Sequence, residues 1–87
     1  MTILQKEPKS QFIGKGEVKG FEFTLLFANS RAFMYKVSNG GLTYYEVFLR
    51  KIHSKFGHVM YPRSKAFGLW AWSIFNFNKA KQKFESL

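Results

Sequence analysis

AFGLWAWSIFNFNKAKQKFESL, residues 66–87, is the stretch whose reading decides the fold. It opens on an apolar run, Phe67 to Phe77, that holds both tryptophans. Within the run Phe67, Trp70, Ala71, Ile74 and Phe75 fit helical spacing, with Ser64 available as an N-cap. Against a helix, the run is apolar on nearly every side and carries Gly68 near its start. A continuous apolar segment bounded by turn residues fits a strand covered on both faces, and the strand is the reading adopted. Asn78 then caps a helix from Lys79 to Ser86. Ala80, Phe84 and Leu87 point one way along it, and Lys79, Lys81, Gln82 and Lys83 point elsewhere. So short a helix is not stable alone, so it must dock through Phe84 and Leu87.

The segments before this stretch read as strands that pair with it. Leu42 to Ile52 is rich in β-formers, namely Thr43, Tyr44, Tyr45, Val47, Phe48 and Ile52, and is apolar on both parities. Ser38-Asn39-Gly40-Gly41 predicts a tight hairpin, with Asn-Gly suited to the positive φ angles of a type I′ turn. Upstream, Arg31 to Val37 places Phe33, Tyr35 and Val37 on one side, and Asn29-Ser30 is a turn. Phe21, Phe23, Leu25 and Phe27 alternate with Glu22, Thr24, Leu26 and Ala28, the clearest period-two signal in the chain. Gln11 to Val18 is the weakest strand because of Gly14 and Gly16. Residues 1–10 read as a flexible lead-in to a single domain at 11–87. His53 to Lys65 reads as a basic connector broken by Gly57 and Pro62, with His58 to Tyr61 able to add a short edge strand.

The expected fold is α+β, an antiparallel meander sheet of four to five strands with one C-terminal helix packed on one face. This picture contains a mismatch. A helix of roughly nine residues is ~13 Å long, too short to cover a sheet whose strands are apolar on both parities. The second face must meet the N-terminal segment, the 53–66 connector, another copy of the chain or a ligand.

Composition narrows the class. At 87 residues the chain has room for one core, and without cysteine it forms no disulfide and no thiolate site. Together with the lack of a membrane-spanning run or a signal-like start, this points to a cytoplasmic protein. Aromatics are 20% of residues, eleven of them Phe, enough to fill a small core with some left over. The net charge of +9 is uneven, at +1 for residues 1–22, +1 for 23–49 and +7 for 50–87. Such asymmetry favours polyanionic partners.

The residues for enzyme chemistry are thin. Five scattered Glu and two His, with no Asp or Cys, offer no paired acid and base and no metal set. No enzymatic role, metal or cofactor is therefore expected. Glu46, the one acid in a strongly apolar strand, reads as a rim position with its carboxylate in water. The basic tail is more informative. Arg50, Lys51, Lys55, Arg63 and Lys65 interleave with Phe56 and Tyr61, and Lys79 and Lys83 follow on the helix. Cations for phosphates beside aromatics for bases are what nucleic-acid binders combine. The leading expectation is thus a basic module that contacts nucleic acid through its phosphate backbone, with Tyr61 or Phe56 stacking on bases. The alternative is a protein–protein module that forms a homodimer through an aromatic sheet face of Trp70, Trp72, Tyr44 and Phe48. No membrane partner is expected. The strand-then-helix ending, NKAKQKFESL after the aromatic run, resembles the close of WGR domains. The Trp-Gly-Arg signature is absent, Gly68-Leu69-Trp70 standing instead, and the resemblance assigns no functional residue.

Overall fold

The computed structural model describes residues 11–14, 20–52, 57 and 59–87. Its strands are β1 (Gln11–Ile13), β2 (Glu22–Ala28), β3 (Ala32–Asn39), β4 (Leu42–Leu49) and β5 (Ala71–Ile74), followed by helix α1 (Phe77–Ser86). The strands lie side by side in chain order and all pair antiparallel, so the fold is an α+β meander with one C-terminal helix. The expected lead-in at 1–10 and much of the expected first strand lie outside the described residues.

Local chemistry sets the connections. Asn29 Oδ1 accepts the N–H groups of Arg31 and Ala32 at 2.7 and 2.8 Å, which closes the β2–β3 turn as an Asx turn. In the next hairpin Asn39 pairs with Leu42, leaving Gly40-Gly41 as the loop. Gly40 has φ +61° and Gly41 does not have positive φ, so the turn has the signs of type II′ on the two glycines. The hairpin stands where the sequence predicts it, but Asn39 remains in the strand.

An irregularity between Leu25 and Phe27 breaks the alternation of β2. Phe23 and Leu25 pack on one side of the sheet, whereas Phe27 turns to the other and meets Phe84 at 5.9 Å between ring centroids. One bulge thus divides a run of aromatics that the sequence reads as single-sided.

The apolar run at 67–77 is not one long strand. Only Ala71–Ile74 pairs with β4, in the register Phe48↔Ala71 to Tyr45↔Ile74. Before it, Ser64–Ala66 forms one 3₁₀ turn, and the Ala66 carbonyl accepts from the N–H groups of Leu69 and Trp70 at 3.0 and 2.9 Å. Gly68, at φ +89°, donates its N–H to Ala71 O at 2.8 Å, a turn that a residue with a Cβ adopts only under strain. After β5, Asn76 rather than Asn78 is the N-cap, accepting the Lys79 N–H at 2.9 Å, so α1 begins at Phe77.

Each face of the sheet has its own core. On the helix face, Ala80 and Phe84 of α1 close over Ala32, Met34 and Val47. On the other, Phe23, Phe33, Tyr35, Val37 and Phe48 are covered by Val59, Tyr61, Ala66, Phe67 and Trp70. The connector is therefore the second lid, one of the four occupants that the sequence leaves open. β4 ends at Leu49 rather than Ile52, and Ile52 instead bridges Val59 while Met60 N–H donates to Lys51 O at 2.8 Å. This folds the connector back across the sheet.

Candidate nucleic-acid interface

The centre of the connector face is Tyr61. Its ring lies edge-on to Phe12, Phe23, Tyr35 and Phe48, at centroid distances of 5.5, 5.4, 5.9 and 5.2 Å. Its hydroxyl donates to Glu46 Oε2. Glu46 is only 3% exposed, not the rim residue the sequence suggests. Position 46 shares its parity with Tyr44 and Phe48, and Tyr61 closes over that side. Burial pushes the Glu46 carboxyl above its ordinary range, and the Tyr61 hydrogen bond works against that shift. Burial also pushes the Tyr61 hydroxyl well up, and the Glu46 charge adds to the effect. Tyr61 is thus a partly buried anchor that pins the connector down, with its ring engaged by four others.

The two tryptophans do not share a side. Trp70 lies in the turn before β5 and packs edge-on to Phe48 at 6.5 Å, on the connector face. Trp72 lies within β5 opposite Val47, on the helix face, where Lys83 Nζ stands 4.0 Å from its ring centroid. Strand parity would have aligned them, but the strand begins only at Ala71. Phe48 is fully buried, so it is core and cannot offer an intermolecular contact. Tyr44 is half-buried, with its ring 5.6 Å from that of Phe75.

The candidate cations separate into two groups. Lys79, Lys81 and Lys83 sit on α1, where Lys81 stands over Phe27 at 5.4 Å, and Glu85 shares that helix. Arg50, Lys51, Arg63 and Lys65 belong to the connector and its entry. Arg50 Nη2 donates to Asn29 O at 2.8 Å, and its guanidinium lies 4.5 Å from the Phe33 ring centroid. It ties the connector's root to the β2–β3 turn. Lys51 is exposed with Nζ 5.2 Å from the Trp70 ring, and Arg63 and Lys65 are exposed. Lys55 and Phe56 lie outside the described residues, as do His53 and His58.

Two residues of interest escaped the sequence reading. Arg31 is exposed, and its carbonyl accepts the Arg50 N–H at 2.7 Å, so it extends the basic end of the sheet. The antiparallel register Ala32↔Leu49 carries that signal, since the residues flanking the pair are Arg31 and Arg50. Phe75 is 69% exposed beside Tyr44. Its position beyond the true end of β5 hid it inside the apolar run.

Comparison with known protein families, with curated proteins and with solved structures returned no match.

Proposed function

We propose that the protein is a non-enzymatic module that binds nucleic acid through phosphate contacts on the connector side of its sheet. The observation that carries this reading is the distribution of charge. Arg31, Arg50, Lys51, Arg63 and Lys65 belong to the connector and the sheet end where it begins. The one described acid facing that lid, Glu46, is buried and bound to Tyr61. On the helix side Glu85 lies among the lysines of α1 and dilutes their field. Lysine and arginine side chains in water beside an indole meet a phosphate backbone at little desolvation cost.

The test is a salt series with single-stranded and duplex oligonucleotides. The reading expects log affinity to fall linearly with log salt. The triple variant Lys51→Ala/Arg63→Ala/Lys65→Ala should bind more weakly and lose up to about three units of that slope. Affinity that is flat with salt, or no binding at low salt, contradicts it.

The self-association reading rests on an uncovered aromatic face. The connector covers Phe23, Phe33, Tyr35 and Phe48, which leaves that reading a smaller aromatic face than the sequence suggests.

A further inference from the structure

The connector covers only part of its face. Beyond Tyr61, toward the Gly40-Gly41 hairpin, Phe21, Leu42, Tyr44 and Phe75 remain on the same side of the sheet. Tyr44 and Phe75 rings lie 5.6 Å apart at 45°, and Phe21 meets Tyr44 at 6.3 Å and 69°. Leu42 is 45% exposed, and alternation along β4 places it on the side of Tyr44. The four side chains make one open apolar ledge whose outermost ring is Phe75.

Its size argues about its occupant. Aromatic side chains bury about 150–250 Å² each, so three partly covered rings and Leu42 offer on the order of 300 Å². A stable dimer needs about 800 Å² per partner, so the ledge is too small to be the interface with a second copy. It has the dimensions of one or two planar rings. It also lies on the face whose lid is basic, and Tyr44 is six residues along β4 from Arg50, or ~20 Å at the strand rise. A short polyanion spans that distance.

We infer that the ledge stacks the bases of a single-stranded nucleic acid whose phosphates lie along the basic connector. This inference rests on the phosphate-binding reading and narrows its ligand to single strands. In a duplex the base faces are already stacked on one another, so only unpaired bases can lie on Phe75 and Tyr44.

Fluorescence anisotropy tests it with a labelled 12-nucleotide single strand, the corresponding duplex, and vesicles containing phosphatidylserine. Phe75→Ala lowers single-strand affinity about 5- to 100-fold, and leaves duplex affinity and the salt slope unchanged. Phe75→Tyr, which keeps a ring, restores the wild-type value. Thermal melting confirms that the exposed substitution leaves the fold intact. If Phe75→Ala binds single strands as the wild type does, with the salt slope retained, the ledge inference falls and phosphate binding stands. If the wild type binds neither oligonucleotide at low salt, both fall. If Phe75→Ala releases only the vesicles, the ledge belongs to a bilayer surface and the inference is overturned.

Discussion

On one face of the sheet, a ten-residue helix closes Ala32, Met34 and Val47 with Ala80 and Phe84. On the other, an irregular connector closes a larger set of rings with Tyr61 at its centre. The helix satisfies its backbone internally and contributes side chains at regular spacing, so its position depends on a cap and two apolar residues. Among its described residues the connector has few backbone partners, and it is held by particular side chains, above all the Tyr61–Glu46 hydrogen bond and the Arg50 contact with Asn29 O. Regular structure makes one lid robust and legible. The other depends on individual residues, and those residues carry most of the chemistry.

The sharpest way to break this contrast is to remove both anchors and compare. Tyr61→Ala should lose about 3–5 kcal/mol in urea unfolding, as for other large aromatics truncated in a core. Phe84→Ala should lose less, because it removes packing alone, whereas Tyr61→Ala also leaves Glu46 buried without its hydrogen-bond donor. A larger loss for Phe84→Ala would make the helix the dominant lid. Tyr61→Phe removes only the hydroxyl and leaves the Glu46 carboxylate buried without its donor, at about 1–3 kcal/mol at neutral pH. That loss should shrink in acid, where a protonated Glu46 no longer needs the donor.

Glu46 sharpens the contrast through pH. Its folded pKa lies above the unfolded value, so the folded state holds the proton more tightly. The stability this gives is fully present below the unfolded pKa and is lost as pH rises through the folded pKa. Glu46→Gln, which keeps an acceptor for Tyr61 and never ionises, should therefore gain on the wild type as pH climbs from about 4 toward neutrality. A constant difference across that range would contradict the burial of an ionisable pair. The smallest effect belongs to the helix. Asn76→Ala should cost about 1 kcal/mol in thermal melts followed by circular dichroism, whereas Asn78→Ala should cost less, since it is not the cap.

What the sequence made legible follows the same division. The central strands, the Gly40-Gly41 hairpin and a C-terminal helix docked through Phe84 all come from periodicity and turn chemistry. The periodic signal fails wherever one residue resets it. The bulge after Leu25 sends Phe27 to the opposite face, and the Gly68 turn starts β5 at Ala71, so Trp70 and Trp72 diverge. The apolar run at 67–77 does three jobs in turn, filling the core, pairing with β4 and opening the helix, and an undivided apolar string does not show the seams. The connector is harder still. Tyr61 beside Arg63 reads as a stacking aromatic next to a cation, yet in an irregular segment no spacing rule says which way a ring points. Glu46 likewise reads as a rim residue because the partner that makes its burial tolerable is fifteen residues away. On the basic surface, composition indicated the charge, but the separation of connector cations from helix cations needed the topology.

The most direct test of the account is a ¹H–¹⁵N correlation map of the protein titrated with a short single-stranded oligonucleotide. The account predicts shifts at Arg31, Lys51, Arg63, Lys65, Phe75 and the Trp70 indole, with the amides of Lys81 and Lys83 and the Trp72 indole unmoved. Shifts concentrated on α1 and Trp72, with the connector unmoved, would contradict it.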